Sequence, residues 1–447
     1  MASKPVDDQA GRGWKALVVS GTGLFRSGDL TGAARMFRRA IRLRPYEPRT
    51  HYQLASILLR DGKAHEASRI FREATRLAPR MAESWHGLGL ALHASGDGRA
   101  ALSAFRTCVR IDAGIWRAWQ SIADITPSEH ERISALKMAR QHLGKLASQP
   151  KTDPATLVYY ADALADMLDF EEVARLIAAR AAAFPDPAGS SERQARALYN
   201  TGNYQGAFRQ MTSALAATRP CPATRQDLDT PAALDVLDEV CTLFSRAGLA
   251  AFPASGTLLG LVRDGHLLAH DRDVDIGILQ AGAQRPDLAR FIRRHPGLML
   301  ERRARPGDRY FALTCRGIAV DLFVYTRRGD HTLCGFSDLP GDIQWRFAKF
   351  SLREACFGQL TCTIPADPRR YLAESYGPGW TRQDTGFASA ISSPALFETD
   401  PFARAFYSAG RARAAIRAGD TAKARALIHQ SPIPIILQGE RTHEMNT

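Results

Sequence analysis

Apolar and small residues repeat every 34 positions along the N-terminal part of the chain. Gly28, Gly62 and Gly96 open three similar turns, GDLTGAA, GKAHEAS and GDGRAAL. After each turn the same register holds an alanine, a phenylalanine and another small residue: Ala33, Ala67 and Ala101; Phe37, Phe71 and Phe105; Ala40, Ala74 and Cys108. This spacing predicts paired helices, in which small residues allow close approach, a phenylalanine packs between the helices and the glycine forms the turn.

The 34-residue unit resembles the tetratricopeptide repeat, and we expect such repeats over residues 14–143, after a flexible N-terminus at 1–13. Degenerate helical repeats are expected over 155–220, as is usual where an array ends or meets another domain. Residues 144–154 and 185–191 are predicted to be loops. The resemblance implies a superhelix whose concave surface binds a protein partner, with a spacer or an oligomerisation surface as the alternative.

From about residue 230 the pattern changes to short helices and strands. Thr230 and Pro231 predict the start of a helix, with Thr230 as the N-cap, and Gly248 suits its C-terminal end. The stretch LAAFP is typical of a short strand, LLGLVRDG of a helix and VDIGIL of a second strand. The alternation in IAVDLFVY, residues 318–325, predicts a further strand.

Three acids interrupt the apolar pattern around the second strand. Asp271, Asp273 and Asp275 alternate in HDRDVDIGIL, and alternate strand residues share one face, about 6.5–7 Å apart. Carboxylates this close repel one another, and a divalent cation removes that cost. Asp321, on the later strand, is a candidate third ligand or general base. The pattern therefore indicates a site for a divalent cation, Mg²⁺ (or Mn²⁺).

A turn of small residues precedes these acids. Ser255, Gly256 and Thr257 offer hydroxyl groups, close backbone approach and amides near a helix start, all of which suit a phosphate. Arg263 can bind a phosphate through two nitrogens. We therefore expect these four residues to bind phosphate groups.

The order of these motifs resembles the LicD/fukutin family. SGTLLGLVRDGHLLAHDRDVDIGI follows that family's GTLLGxxR and WDDDIDIG, VDLFVY matches its later strand, and IPADPRRYLAESYGPGW its closing helix. The similar region covers roughly residues 230–385. The resemblance implies a nucleotidyltransferase-like domain with a small mixed sheet, in which Asp273 and Asp275 bind the metal and Asp321 is the third acid.

The sequence departs from the family pattern at two positions. His270 stands at the family's tryptophan, and Arg272 stands where an acid is usual between Asp271 and Asp273. By strand alternation Arg272 points away from the acidic face. His266 and His270 are candidate acid/base groups, although surface or loop histidines are the simpler interpretation.

The sequence thus predicts an α+β protein with a tetratricopeptide-repeat superhelix, a nucleotidyltransferase-like mixed-sheet domain at 230–385, a C-terminal helical hairpin of repeat type at 386–430 and an irregular tail at 431–447. The resemblance implies an enzyme that moves a phosphocholine-like or polyol-phosphate-like group from a CDP-linked donor to a hydroxyl of a glycan or lipid-linked glycan. The alternative is a repeat scaffold carrying an inactive transferase-like domain. A nucleotidyltransferase acting on protein or nucleic acid is a third option, which the GTLLGLVR turn disfavours.

Composition indicates the class of binding partner and the cellular compartment. A net charge of +13 favours phosphate-rich or anionic partners, but no nucleic-acid-binding motif is recognisable. The 7 scattered cysteines, without a CxxC pair, indicate free thiols in a reducing compartment. Without a signal peptide or an apolar run of about 18 residues, we expect a cytoplasmic protein that contacts the membrane, if at all, peripherally at its inner face.

Overall fold

The computed structural model describes residues 6–221, 228–280, 282, 286–384 and 386–436. Two compact units divide the chain between residues 146 and 147. The first unit is helical and consists of α1 (Val6–Arg26), α2 (Leu30–Leu43), α3 (Pro48–Arg60), α4 (Ala64–Leu77), α5 (Ala82–Ala94), α6 (Gly98–Ile111), α7 (Trp116–Ile125) and α8 (Glu129–Ala147). Helical backbone therefore reaches into the segment predicted to be flexible, of which residues 1–5 lie outside the described part.

The repeat register is confirmed by its core. Phe37, Phe71 and Phe105 are each 1% exposed. A Cβ atom at Gly89 would lie 2.3 Å from Cε1 of Phe105, and one at Gly21 would lie 2.8 Å from Cε2 of Phe37. The small residue of the first helix therefore makes room for the phenylalanine of the second.

The second unit begins with four helices, α9 (Pro154–Asp166), α10 (Phe170–Arg180), α11 (Pro187–Asn200) and α12 (Tyr204–Ala216). The predicted loop at 185–191 is wrong, because α11 begins at Pro187. The Asp186 side chain accepts a hydrogen bond from the Ala188 amide (3.1 Å), and proline suits the first helical turn. The predicted loop at 144–154 is shorter than expected, since α8 continues to Ala147.

A mixed-sheet region follows. Its strands are β1 (Ala250–Pro253), β2 (Asp273–Gln280), β3 (Leu298–Leu300), β4 (Tyr310–Cys315), β5 (Ile318–Arg328), β6 (His331–Gly335), β7 (Gln344–Ala348), β8 (Leu352–Phe357) and β9 (Leu360–Pro365). Its helices are α13 (Thr230–Arg246), α14 (Ser255–Arg263), α15 (Leu288–Arg293), α16 (Pro368–Tyr376) and α17 (Ser389–Ser392).

The main sheet runs in the order β1-β2-β5-β4-β3, with β6 paired to β5 and β7 paired to β6. β2 and β5 are parallel, whereas the other pairs are antiparallel. β8 and β9 form a separate hairpin. This arrangement confirms the predicted mixed sheet, and it places β2 and β5 side by side with their first residues at the same edge.

One helix cap differs from the prediction. The N-cap of α13 is Asp229 rather than Thr230, and its side chain accepts a hydrogen bond from the Ala232 amide (3.1 Å). Both residue types cap well, and Pro231 fits either alignment within the first turn. Gly248 ends the helix as predicted, with a φ of +76°.

The chain then returns to helical pairs in α18 (Pro401–Arg417) and α19 (Thr421–His429). α18 packs against α12, and α19 packs against α18. The turn between them repeats the earlier turns: Gly419 has a φ of +80°, close to the +88° of Gly96, and Asp420 accepts from the Lys423 amide (2.9 Å). The predicted hairpin thus extends the stack of α11 and α12, and the mixed-sheet region is inserted between α12 and α18.

Three expectations concern the chain as a whole. Its seven cysteines are all free thiols. Of the helices in the described part, none combines the length and apolarity needed to cross a membrane. Of the predicted irregular tail, residues 431–436 form no helix or strand, and the rest lies outside the described residues.

Candidate active site

β2 and β5 bring the predicted acids together. Asp273 is the first residue of β2, and Asp275 lies beside Asp321 in the parallel pairing. All three are half-buried, whereas Val274 and Ile276, which alternate with them, are fully buried. One face of β2 is therefore core, and the other carries the acids.

Asp271 reaches the same place from outside the strand. Its amide donates to the Leu268 carbonyl (3.0 Å) in the turn before β2. A Cβ atom at Gly256 would lie 2.6 Å from Oδ2 of Asp271 and 3.3 Å from Oδ2 of Asp275. The absence of a side chain at Gly256 thus lets two carboxylates approach the start of α14. We call Asp271, Asp273, Asp275 and Asp321 the acid cluster.

The turn at the start of α14 is bonded to the acid cluster. The Gly256 amide donates to Oδ2 of Asp275 (3.0 Å), and the Asp275 amide donates to the Thr257 hydroxyl (2.8 Å). Ser255 has a φ of +41°, an uncommon value for a residue other than glycine. The three residues predicted to bind phosphate therefore lie at the acid cluster, and two of them hold Asp275 in place.

Burial and mutual repulsion raise the pKa values of the acid cluster. Burial, reinforced by the charge of Asp273, raises the pKa of Asp271 to about 6 and that of Asp321 to about 6. Burial also raises the pKa of Asp273. Burial and the three neighbouring acids hold the pKa of Asp275 well above its ordinary value. Carboxylates that disfavour one another's charged form are stabilised by a positive ligand.

The acid cluster offers carboxylate oxygens as ligands for a divalent cation. Within the described ranges no three Asp, Glu, His or Cys side chains are arranged to hold a metal ion by themselves. The chemistry of the donors nevertheless fits Mg²⁺, which takes hard oxygen ligands and is usually held by one or two carboxylates together with water and substrate phosphates. The acid cluster therefore suits a site that the substrate completes, and Asp273, Asp275 and Asp321 stay its predicted ligands.

Arg263 lies next to the acid cluster but is already paired. Its Nε and Nη2 atoms donate to the two carboxylate oxygens of Asp264, at 2.9 and 2.8 Å. Its charge also lowers the pKa of Asp271. The guanidinium has the bidentate geometry expected for phosphate binding, and it would have to leave Asp264 to use it.

The other polar residues of the motif are exposed. Arg272 is exposed, as strand alternation predicts, and its charge lowers the pKa of Asp273. His270 is exposed, and its charge lowers the pKa of Asp271. His266 is exposed, with Nδ1 lying 2.9 Å from the Leu267 carbonyl oxygen. These contacts favour the simpler interpretation of His266 as a loop histidine.

Two tyrosines beside the acid cluster were not predicted from the sequence. The Tyr310 hydroxyl, on β4, donates to Oδ1 of Asp321 (2.8 Å). Tyr376 ends α16, and burial followed by the charges of Asp275 and Asp271 raises its pKa. Tyr376 belongs to the YG pair of the closing helix that resembles the family, and this motif could have identified it. Tyr310 lies in a strand pattern that carries no such motif.

Helical repeats followed by a mixed-sheet domain with an acid cluster define a two-part protein, and comparison with known proteins assigns each part. Residues 248–367 match the family model for the LicD/FKTN/FKRP nucleotidyltransferase domain. Residues 18–67 and 52–114 match the tetratricopeptide repeat. The chain therefore carries a LicD-family domain preceded by tetratricopeptide repeats, and the predicted family is confirmed.

Two curated relatives are the ribitol-5-phosphate transferases FKTN of Macaca fascicularis and Homo sapiens, each 23% identical to this chain over 153 residues. The match covers 33% of this chain and 33% of each relative. The similarity thus spans about a third of the length of those relatives.

Two solved structures are also similar to this chain, at low TM-scores. Pseudomonas aeruginosa pilF is 15% identical over 46% of this chain and 91% of its own, with a TM-score of 0.36. A tetratricopeptide repeat protein from Parabacteroides merdae is 14% identical over 53% of this chain and 88% of its own, with a TM-score of 0.35.

Proposed function

We propose that this protein is a metal-dependent transferase that moves a phosphocholine-like or polyol-phosphate-like group from a CDP-linked donor to a glycan hydroxyl. The observation that carries the proposal is the acid cluster, held at the start of α14 by Gly256 and Thr257. The similarity of this domain to ribitol-5-phosphate transferases supports the class of reaction.

In this proposal the acids divide two tasks. Asp273, Asp275 and Asp321 would hold Mg²⁺ or Mn²⁺, which neutralises negative charge on the donor diphosphate and on the leaving CMP. Gly256 and Thr257 fix Asp275, and the turn from Ser255 faces the donor phosphates.

The reaction is a substitution at phosphorus. The oxygen of the acceptor hydroxyl forms a bond to the distal phosphorus while that phosphorus loses its bond to the bridging oxygen, and CMP departs. Either Asp321 or Asp271 accepts the hydroxyl proton. Asp271 is not among the proposed metal ligands, and its pKa of about 6 in the metal-free site leaves it ionised at neutral pH yet still basic. Tyr310 orients Asp321 through its hydrogen bond.

The proposal also gives a binding role to the repeats and to the net positive charge. The tetratricopeptide repeats recruit a protein partner or the acceptor. The net charge of +13 would favour a phosphorylated or lipid-linked glycan at the inner face of a membrane, reached from the cytoplasm.

Donor specificity tests the proposal directly. The full chain is titrated in Mg²⁺ with CDP-choline, CDP-ribitol and CDP-glycerol, and separately with ATP and UTP. We expect binding of at least one CDP-linked compound, followed by release of CMP when a glycan acceptor is added. Binding of ATP or UTP but of no CDP-linked compound would favour another nucleotidyltransferase, and binding of none would favour an inactive scaffold.

The Asp273→Asn variant tests the acid cluster. We expect a loss of transfer of at least about 100-fold, because an oxygen ligand and its charge are removed from the reacting phosphates. The matched control is Asp235→Asn, an exposed position on α13, which should keep full activity. Equal activity of the two variants, both folded by circular dichroism, would refute the role of the acid cluster.

A further inference from the structure

The C-terminal hairpin is anchored beside the acid cluster by a row of aromatic rings. Tyr407 of α18 stacks on Phe336 (ring centroids 5.4 Å apart, planes at 23°). Phe336 packs edge-on against Tyr310 (5.3 Å), and Tyr310 donates to Asp321. These contacts fix the face of α18 that carries Tyr407 in relation to β4 and β5.

The hairpin carries two cations of interest, one on each of its helices. Arg411 lies one helical turn after Tyr407, at the i+4 spacing that places two side chains on one helix face. Lys423 lies in the first turn of α19. Both are exposed, and neither forms an ion pair within 4.0 Å with a carboxylate of the described part of the chain.

Both cations nevertheless lie close enough to act on the acids. The charge of Arg411 lowers the pKa values of Asp273 and Asp321. The charge of Lys423 lowers the pKa of Asp271. The row of aromatic rings and the i+4 spacing from Tyr407 place Arg411 at the border of the acid cluster, and no nitrogen atom of Arg411 or Lys423 pairs with an acid of the cluster.

We propose that Arg411, assisted by Lys423, binds the phosphate groups of the donor at the acid cluster, so that the C-terminal hairpin forms part of the active site. This inference rests on the proposed function. It concerns residues outside the range 248–367 that matches the LicD family.

The acid cluster and the two cations of the hairpin would bind different oxygens of a donor diphosphate. A donor diphosphate is held at one edge by a cation on the acid cluster and leaves other oxygens facing outward. A guanidinium binds two such oxygens at once, and an ammonium adds a further charge. Direct pairing of Arg411 with Asp321 would compete with this task, and the structure shows no such pair. The extended helical stack thereby completes the site of the inserted domain.

The test compares Arg411→Gln, Arg411→Lys and Lys423→Gln with the control Arg425→Gln, an exposed arginine of the same hairpin. The probes are CDP and inorganic diphosphate, each titrated calorimetrically in Mg²⁺. We expect Arg411→Gln to weaken both probes roughly 10- to 100-fold, the size typical of hydrogen bonds to charged groups. Arg411→Lys should recover part of this loss, Lys423→Gln should lose less, and Arg425→Gln should bind like the unaltered protein.

The effect on kinetics separates binding from stability. With an active donor, Arg411→Gln should raise the KM for the donor by a similar factor, while the melting temperature stays within a few degrees. Unchanged affinity of both Arg411 variants for CDP and for diphosphate would overturn the inference, even if the unaltered protein binds CDP. Failure of the unaltered protein to bind CDP or any CDP-linked donor would instead overturn the proposed function.

Discussion

Gly89 in the repeats and Gly256 at the acid cluster each leave space for a neighbouring side chain, but the kind of side chain that fills the space differs. At Gly89 the space of the missing side chain is filled by the ring of Phe105, and at Gly256 by the carboxylate of Asp271. The first approach buries apolar surface and stabilises the fold. The second brings like charges together and raises their pKa values, which costs stability. A glycine that serves packing and a glycine that serves a ligand can therefore be told apart by what fills the gap.

The largest effect is expected from replacing each glycine by alanine. Gly256→Ala places a Cβ atom 2.6 Å from Oδ2 of Asp271. It should lower kcat/KM about 100-fold, since a displacement of about 1 Å at a reacting site has that effect. Gly89→Ala should instead keep activity and lower the free energy of unfolding of the repeats by about 1–2 kcal/mol, because overpacking outweighs the better helix propensity of alanine.

Gly98→Ala is the control for both variants, because a Cβ atom built at that position meets no atom within 4 Å beyond its chain neighbours and the backbone of its own helix. Activity is measured by CMP release and stability by thermal unfolding. A fully active Gly256→Ala variant would show that the close approach of the carboxylate has no functional purpose.

The second effect concerns stability without metal. In the folded state the pKa values of Asp271 and Asp321 are about 6, whereas an unfolded aspartate has a pKa of about 3.9. Between these values the folded state binds more protons than the unfolded state, so these two groups make stability fall as the pH rises from about 4 to about 6. With EDTA present, the melting temperature of the unaltered protein should fall more steeply over this range than that of Asp321→Asn.

Addition of Mg²⁺ at pH 7 should restore the stability that the repulsion between the acids removes. Saturation at 100 times the dissociation constant adds about 2.7 kcal/mol to the free energy of unfolding, and Asp273→Asn should gain much less. Equal pH slopes for the unaltered protein and Asp321→Asn, or an equal response of both proteins to Mg²⁺, would contradict the electrostatic description of the acid cluster.

The smallest effect is expected for Tyr310→Phe. The variant removes the hydrogen bond to Asp321, which contributes about 0.5–1.5 kcal/mol, so activity should fall several-fold. Because this bond lowers the pKa of Asp321, the acidic limb of the kcat/KM profile should move to higher pH. Tyr46→Phe, 78% exposed in the repeats, is the control. An unmoved acidic limb would show that Asp321 does not depend on Tyr310.

The same comparison shows what the sequence could predict. The repeat helices were predictable because their signals are local: a turn glycine, a capping residue and a phenylalanine at fixed spacing. The prediction fails at residues 185–191, where the composition of a loop conflicts with the signal of a helix start. PDPAGSS has the composition of a loop, yet Asp186 caps a helix that starts at Pro187.

The candidate site was predictable along β2, since alternation alone places Asp273 and Asp275 on one face. Its remaining parts come from elements distant in sequence. Tyr310 reaches Asp321 through the pairing of β4 with β5, and the proposed role of Arg411 depends on the packing of α18 against Phe336 and Tyr310. Neither strand order nor the docking of a hairpin is encoded in a local pattern.

The insertion between α12 and α18 also sets the order in which the protein can mature as it is synthesised. The repeats of the first unit contact mainly their neighbours and can fold as they emerge. The face of α12 that meets α18, where Phe208 packs against Phe402 (6.0 Å), has no partner until residues 217–400 have been made. Contacts so far apart in sequence form late, so a nascent chain lacking the hairpin would expose this apolar face and need protection from aggregation.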